Sequence, residues 1–143
     1  MPTRYAEATW EGNLVKGNGK MKLGSGLCEV PHTHASRFKE GQGSNPEELV
    51  GAALAGCYSM YLSSILAADD FTPNQVNVSA AVTIDSVDGA PTIHTIELDC
   101  TADIPGIGQD EFMKYAMRAK VECPVSKALS AVDSVTLSAN LES

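Results

Sequence analysis

The sequence predicts an α+β fold in which antiparallel sheets are wrapped around one long buried central helix. Two observations carry this prediction. The first is a stretch from Val50 to Ala68 that contains no charged residue and follows a strong helix start. The second is a set of segments on either side of it, in which apolar and polar residues alternate as in strands with one buried face. Strands that precede and follow a helix, without regular alternation, indicate the α+β class.

Composition and charge favour an ordinary soluble protein. The chain has 143 residues, 43% of them hydrophobic, which is enough for a single domain, 1–143, with a substantial core. Its net charge of −8 disfavours binding to nucleic acid and to anionic membranes, which needs clustered Lys and Arg. Residues 1–7 lack the apolar segment of a signal peptide, so we expect a cytoplasmic protein.

The first third of the chain is predicted to be β-structure. A strand from Tyr5 to Val15 is expected to turn at Gly17-Asn18-Gly19 into a second strand from about Lys20, because Asn-Gly between extended runs favours a hairpin. Gly24-Ser25-Gly26 indicates another bend. Residues 28–38 are expected to continue as strand or loop.

The central helix has clear start signals. Asn45 is the predicted N-cap, Pro46 suits the first helical position, and Glu48 is placed to support the cap. The helix is expected to run to about Ala68, before Pro73. Because it is apolar all round and its flanks are acidic rather than basic, we interpret it as buried by protein and not as a membrane span.

The second half of the chain is predicted to contain two strands, two helices and a last strand. Residues 76–84 and 96–102 alternate around an Asp88-Gly89 turn, and a break in phase near Ile93 and His94 indicates a bulge. Pro105-Gly106 ends the second strand. The remaining elements are an amphipathic helix through Phe112, Tyr115, Ala116 and Ala119, a short helix from Pro124 to about Ser130, and a strand over 135–141.

Cys57 is the first candidate reactive group. It lies in the uncharged helix, with these helical neighbours: Ala53, Leu54, Met60 and Tyr61. A thiol reacts as its thiolate, which an apolar helix disfavours unless a cation arrives from elsewhere. Arg37, which precedes the Gly-rich approach to the helix, is the candidate for this cation, and Glu47 is a candidate carboxylate to hold it. Glu47 and Cys57 would lie roughly 15 Å apart along a straight helix, so they could share a site only through a kink or across a dimer.

Cys123 is the second candidate reactive group. A residue that precedes proline avoids the α region, so we expect Cys123 to be extended, at the cap of the helix that Pro124 opens. Free N–H groups and the helix dipole there favour a thiolate or a good leaving thiol. The same pattern also describes an ordinary turn, and the functional interpretation depends on Cys57 being near.

The remaining cysteines suggest no chemistry. Cys28 is expected to be a half-exposed strand residue, and Cys100 fits the apolar face of its strand as core. Cys28 with His32 and His34 loosely suggests a metal site. No further pair completes four zinc ligands, so we expect no metal and no cofactor.

Several segments share the order and spacing of one protein family. They are Trp10-Glu11-Gly12, Ser36-Arg37-Phe38, Asn45-Pro46-Glu47-Glu48-Leu49, Gly51-Ala52-Ala53-x-Ala55-x-Cys57, Phe71-Thr72-Pro73 and Cys123-Pro124-Val125-Ser126. Over essentially the whole chain, they resemble the OsmC branch of the OsmC/Ohr family, which are osmotically inducible or organic-hydroperoxide-resistance thiol peroxidases of bacteria. The chain departs from the usual family pattern at Leu54, often histidine, and at Gly56, often alanine.

The resemblance implies an intertwined homodimer with two active sites at the subunit interface. It makes Cys57 the peroxidatic cysteine and Cys123 the resolving cysteine, which would form a disulfide. Arg37 and Glu47 match the activating arginine and its carboxylate partner. The implied substrates are organic hydroperoxides and, more weakly, hydrogen peroxide, and the implied reductant is a dithiol, for which the family suggests the lipoyl type. Such a role belongs to antioxidant stress response, with no nucleic acid or membrane partner.

Two other interpretations remain open. The chain could be a non-catalytic structural or small-molecule-binding domain whose cysteines are inert core residues. It could also be a zinc-stabilised module that uses Cys28, His32 and His34. For the peroxidase hypothesis, an apolar pocket that favours alkyl hydroperoxides is expected from among five side chains: Phe38, Leu54, Met60, Tyr61 and Phe71.

Overall fold

The structure is a computed structural model that describes residues 1–142. The chain forms two compact units, the first covering Met1–Leu49 and the second beginning at Val50. The single domain, 1–143, stays a prediction.

The first unit contains a three-stranded antiparallel sheet and a short helix. The strands are β1 (Ala6–Glu11), β2 (Asn18–Leu23) and β3 (Glu29–His32), in the order β1-β2-β3. Helix α1 (His34–Phe38) follows. The predicted β-structure and the bend at Gly24-Ser25-Gly26 are confirmed, with Gly26 at φ +78°. Helix α1 was not predicted, since only a strand or loop was expected there.

The predicted position of the first turn is wrong. The chain turns between β1 and β2 from Gly12, where φ is +89°, and Asn18 and Gly19 already pair with β1. A Cβ atom on Gly19 would lie 2.7 Å from the Trp10 ring and 2.6 Å from the His32 ring. Glycine is therefore needed at position 19 for close packing of these rings, and not to make the turn.

The second unit contains most of the long helix, a second sheet and two further helices. Helix α2 (Pro46–Ala67) begins within the first unit and continues into the second. The other elements are β4 (Gln75–Val87), β5 (Ala90–Asp103), α3 (Gln109–Glu122), α4 (Pro124–Ala128) and β6 (Ser134–Leu141). The α+β class and the predicted order of these elements are confirmed.

The second sheet is mixed rather than wholly antiparallel. Its order is β4-β5-β6, with β4 and β5 antiparallel but β5 and β6 parallel. Two helices, α3 and α4, separate β5 from β6, and such a long connection lets the chain return in the same direction. In the β4–β5 pairing Thr83 faces Thr95 and Ile84 faces Ile93, which leaves His94 as the extra residue of the predicted bulge.

The core of the second unit forms where α2, β5 and α3 pack together. Helix α2 contributes Leu54, Tyr58, Leu62 and Leu66, which recur every fourth residue and so share one face. The opposite face of α2 is also uncharged but is exposed in the single chain: Ala52, Ala53, Gly56, Met60 and Ser64. Our expectation that α2 is buried on all sides is therefore wrong for one chain alone. By length and composition only, α2 could also cross a membrane.

Candidate active site

Helix α2 and the start of α4 bring Cys57 and Cys123 together. Cys57 lies on a half-buried position of α2 and packs against the core, and its thiol lies near enough to that of Cys123 for Cys123 to raise its pKa. The two residues are distant in the chain, so packing of the second unit is what joins them. All four cysteines are free thiols.

The surroundings of Cys57 favour its protonated form. Burial raises the pKa of the Cys57 thiol above its ordinary value, and contact with the Cys123 side chain raises it further. The backbone N–H of Val125 acts in the opposite direction, because it stabilises negative charge on the sulfur. Within this unit the thiol pair is therefore assembled, whereas thiolate formation needs additional positive charge.

Cys123 adopts the predicted cap geometry. It ends α3 and begins α4, with φ −63° and ψ 140°, and its side chain accepts a hydrogen bond from the backbone N–H of Ser126 at 3.4 Å. The Ser126 hydroxyl lies 2.9 Å from the Cys123 sulfur. Cys123 is fully buried. Its sulfur therefore interacts with two polar groups of one residue rather than with water.

Arg37 and Glu47 form the ion pair that the sequence suggested, within the first unit. The Arg37 Nη2 and Nε atoms donate to the same oxygen, Glu47 Oε1, at 2.8 and 3.1 Å. The Glu47 side chain is 7% exposed and that of Arg37 is 37% exposed. The second oxygen, Glu47 Oε2, is buried and has no hydrogen-bond partner among residues 1–142. A buried carboxylate oxygen without a donor is unusual, because its desolvation is not compensated.

Short helix α1 places Arg37. Thr33 caps it: the Thr33 hydroxyl accepts from the Ser36 N–H at 3.1 Å, and the Ser36 hydroxyl lies 2.8 Å from the Thr33 N–H. Ser36 also links α1 to the start of α2, since its backbone carbonyl accepts from the Asn45 side chain at 3.0 Å. Asn45 in turn caps α2 by accepting from the Glu48 N–H at 2.8 Å, as predicted. This network holds the backbone on both sides of the ion pair.

Glu48 has a different role from its neighbour Glu47. Its carboxylate accepts a hydrogen bond from the Ser44 hydroxyl at 2.7 Å. It therefore supports the start of α2 from the exposed side and does not contact Arg37. Glu48 thus lies at the predicted capping position, but its carboxylate bonds the Ser44 hydroxyl rather than the Asn45 N–H of a capping box.

The other two cysteines, Cys100 and Cys28, have different surroundings from those of the thiol pair. Cys100 is fully buried in β5, as expected, and burial raises its pKa to about 11. It contacts the Tyr58 hydroxyl, which also donates to the Ala116 carbonyl at 3.0 Å. Cys28 precedes β3 and is exposed, so the expectation of a half-exposed strand residue is wrong.

The histidines near Cys28 are held by aromatic contacts. The His32 ring lies 5.4 Å from that of Trp10, and the His34 ring lies 5.1 Å from that of Phe38. No group of three His, Cys, Asp or Glu side chains placed to hold a metal ion occurs in residues 1–142. The geometry therefore gives no support to the zinc-stabilised module.

The apolar side chains expected to form a substrate pocket are distributed over different surfaces. Leu54 lines a cavity of about 410 Å³ with Ser126 and Leu129, whereas Met60 lies beside another groove and is 76% exposed. Phe71 packs edge-on against Tyr115 at 6.1 Å. The second unit does not bring these residues into one pocket by itself.

Three contributors to these sites were missed by sequence reasoning. They are Thr33 and Ser36, which cap α1, and Ser126, which contacts the Cys123 sulfur. A signal was present in both places, since each pair has the three-residue spacing of a capping interaction: Thr33 to Ser36 and Cys123 to Ser126.

Comparison with known proteins agrees with the resemblance. A family model described as OsmC-like protein matches residues 39–138. Peroxiredoxin OsmC of Escherichia coli (strain K12) is 40% identical over 141 residues, which cover 98% of this chain and 97% of that protein. The organic hydroperoxide resistance protein of Xanthomonas axonopodis pv. citri (strain 306) is 29% identical over 98 residues, or 68% of this chain and 67% of that protein.

Solved structures share the fold at lower sequence identity. The crystal structure of an organic hydroperoxide resistance protein OsmC from Legionella pneumophila has a TM-score of 0.73 and 21% identity, and covers 100% of this chain and 98% of its own. An OsmC-like protein of unknown function from Vibrio cholerae has a TM-score of 0.76 and 15% identity, and covers 97% of this chain and 99% of its own. The chain belongs to the OsmC-like protein family.

Proposed function

We propose that this protein is a thiol-dependent peroxidase that reduces organic hydroperoxides, and more weakly hydrogen peroxide, to alcohols or water. The names of its relatives, peroxiredoxin and organic hydroperoxide resistance protein, support a peroxidase-type role. The observation that carries the detailed proposal is the contact between the Cys57 and Cys123 thiols, which the fold brings together from distant parts of the chain. Two neighbouring free thiols, one half-buried and one buried, are suited to reversible disulfide formation.

The proposed reaction has three steps. The Cys57 thiolate attacks the distal oxygen of the hydroperoxide, the O–O bond breaks, and the alkoxide leaves as an alcohol after taking a proton. Cys57 is then a sulfenic acid. Cys123 attacks the Cys57 sulfur, a disulfide forms and water leaves. A dithiol, of which a lipoyl-type dithiol is one, reduces the disulfide by two exchange reactions and is itself oxidised.

Activation of Cys57 is assigned to Arg37. The raised pKa of Cys57 means that the thiolate needs a nearby cation, and Arg37 is held by a buried carboxylate in a fixed position. Glu47 acts by holding the guanidinium rather than by touching the peroxide. Since Glu47 Oε2 has no partner among residues 1–142, a further donor is expected when the site is complete.

The proposed enzyme is a homodimer. The uncharged face of α2, around Gly56 and Met60, is exposed in the single chain, and a second copy of the chain would remove it from water. Small residues on this face let two helices approach closely. We place the protein in the cytoplasm, where free cysteines stay reduced and disulfides form mainly during catalysis.

A peroxidase assay tests the proposed function. Purified protein is given tert-butyl hydroperoxide or hydrogen peroxide, with dihydrolipoamide as the electron donor, and initial rates are compared. We expect faster consumption of the alkyl hydroperoxide, and a Cys57–Cys123 disulfide in peptide mass spectra after one equivalent of peroxide. Cys28 and Cys100 serve as internal controls and should remain thiols.

The same assay addresses the main alternative. A raised pKa is also what an inert core thiol would have, so a non-catalytic domain is the competing function. Protein that consumes no peroxide, and in which Cys57 and Cys123 stay unmodified, would establish that alternative and end the peroxidase proposal.

A further inference from the structure

We propose that Ser126 is a positioning residue for disulfide chemistry, whose hydroxyl holds the Cys123 sulfur and stabilises the negative charge that forms on it. This inference rests on the proposed function, because Cys123 must act as the resolving thiol. It assigns to Ser126 an effect on the second step of the reaction and no effect on the first, the reaction of Cys57 with peroxide.

The contacts of Ser126 are the basis of the proposal. Its Oγ lies 2.9 Å from the Cys123 sulfur, and its backbone N–H donates to the same atom at 3.4 Å. Cys123 itself is fully buried. A charge that forms on a fully buried sulfur is stabilised by fixed hydrogen-bond donors rather than by water, so the loss of one donor has a large effect.

The start of α4 provides a donor to each sulfur. Ser126 contacts Cys123, while hydrogen bonding from the Val125 backbone lowers the pKa of Cys57. Helix α4 is only five residues long, Pro124–Ala128, so individual hydrogen bonds, and not a helix dipole, stabilise charge here. Of these donors only the Ser126 hydroxyl is a side-chain group, so it can be removed by substitution without changing the backbone.

The chemistry uses the hydroxyl in two ways. Before resolution Cys123 is a thiol, and the Ser126 oxygen can accept its S–H. During resolution the S–S bond forms, the S–O bond of the Cys57 sulfenic acid breaks, and the Cys123 proton passes to the departing hydroxide to give water. As that proton leaves, the Ser126 O–H turns to donate to the Cys123 sulfur.

Reduction of the disulfide uses the same contact in reverse. Cys57 is partly exposed and Cys123 is fully buried, so an external dithiol reaches the Cys57 sulfur more easily. Attack at Cys57 expels Cys123 as a thiolate, and a stabilised leaving thiolate departs faster. Ser126 therefore favours both formation of the disulfide and its opening from the Cys57 side.

Rapid-mixing experiments on the full chain test this assignment. Wild type, Ser126→Ala, Ser126→Thr and Ser130→Ala are each mixed with one equivalent of tert-butyl hydroperoxide. Ser130 is the matched control, because it lines the same cavity as Ser126 but lies on its exposed side. Peroxide loss reports the first step. Quenched samples report the Cys57–Cys123 disulfide, and a dimedone adduct reports the Cys57 sulfenic acid.

We expect Ser126→Ala to consume peroxide at the wild-type rate but to form the disulfide about tenfold more slowly, with a transient sulfenic acid. Ser126→Thr, which keeps the hydroxyl, and Ser130→Ala should both stay within about twofold of wild type.

Three results would overturn the assignment. The first is a Ser126→Ala variant that forms the disulfide at the wild-type rate. The second is a Ser126→Ala variant in which peroxide loss and disulfide formation slow equally and the melting temperature falls. The third is a Ser130→Ala variant that forms the disulfide as slowly as Ser126→Ala. Failure of the proposed function is a different result: wild-type protein would then form neither sulfenic acid nor disulfide with any peroxide.

Discussion

Two cysteines of the second unit, Cys100 and Cys123, are both fully buried, yet their surroundings differ in kind. Cys100 lies in the middle of β5 with the Tyr58 hydroxyl as its polar contact. Cys123 lies at a break between two helices, where it contacts Ser126 and a second thiol. Cys100 is surrounded by regular structure, whereas Cys123 has polar groups and a second thiol near it.

Burial alone does not distinguish a thiol proposed to react from one that only packs. Burial raises the pKa of Cys100 to about 11, and no second thiol is among the groups that shift this pKa. Burial also raises the pKa of Cys57, but there it comes with contact to Cys123. A buried thiol can form half of a redox pair when a second sulfur lies beside it. Without a second sulfur it contributes only to packing.

The largest expected effect comes from Cys57→Ser. A serine hydroxyl does not attack peroxide at neutral pH, so turnover should fall by a factor of at least about a thousand. The assay is consumption of tert-butyl hydroperoxide with dihydrolipoamide as donor. Cys100→Ala is the matched control and should keep at least half of the wild-type rate. Equal losses in the two variants would remove the distinction between the thiols.

Cys123→Ser should abolish steady turnover but keep a single reaction with peroxide. Serine is a favoured N-cap residue, so the start of α4 should still form. One equivalent of hydroperoxide should then leave a Cys57 sulfenic acid that dimedone traps and intact mass spectrometry counts. Trapping of less than about a tenth of the protein, with the peroxide consumed, would mean that Cys123 does not resolve Cys57.

The role of Arg37 can be measured with a double variant, Arg37→Met with Glu47→Gln. Removing Arg37 alone would leave a buried carboxylate unpaired, at about 3–5 kcal/mol, whereas the double change keeps the pair neutral. We expect the rate constant for peroxide reduction to fall about 10- to 100-fold at pH 7. The loss should shrink as the pH rises, because alkali then ionises Cys57 without the guanidinium. Arg118→Met, which removes an exposed cation, is the control.

The smallest expected effect concerns stability at alkaline pH. Because the Cys100 pKa is about 11 in the folded protein and about 8.5 in an unfolded chain, the unfolded state loses its proton first as the pH rises. The stabilising contribution is therefore complete below pH 8.5 and is lost towards pH 11, by at most about 3 kcal/mol.

Urea unfolding under reducing conditions at several pH values measures this slope. Cys100→Ala should show a shallower fall in unfolding free energy than wild type, whatever its absolute stability. Tyr58→Phe is a second comparison, because burial also raises the Tyr58 pKa above its usual range. Parallel slopes for wild type and Cys100→Ala would show that Cys100 does not control the alkaline transition.

Local signals predicted much of this fold. Asn45 and Pro46 fixed the start of α2, a break in alternation located the bulge at His94, and the residue before Pro124 became an N-cap. In each case the conformation depends on neighbouring residues in the chain, through a side-chain cap, a fixed φ or the side-chain period.

Non-local features were not predictable in the same way. The direction of β6 depends on how α3 and α4 carry the chain back, and the close packing at Gly19 depends on rings from two other strands. The exposed face of α2 could not be predicted from composition. An uncharged helix has the same sequence pattern whether its own chain or another chain covers it. The proximity of Cys57 and Cys123 was predicted from the family resemblance and not from the spacing of the residues.

The order of the two thiols along the chain has a consequence for synthesis. Cys57 leaves the ribosome well before Cys123, which lies beyond α3, and the Arg37–Glu47 pair can form from residues ten apart as soon as α2 begins. A nascent chain made during peroxide exposure thus has its first cysteine without the second. Under the proposed mechanism, a Cys57 sulfenic acid formed at that moment has no Cys123 with which to condense.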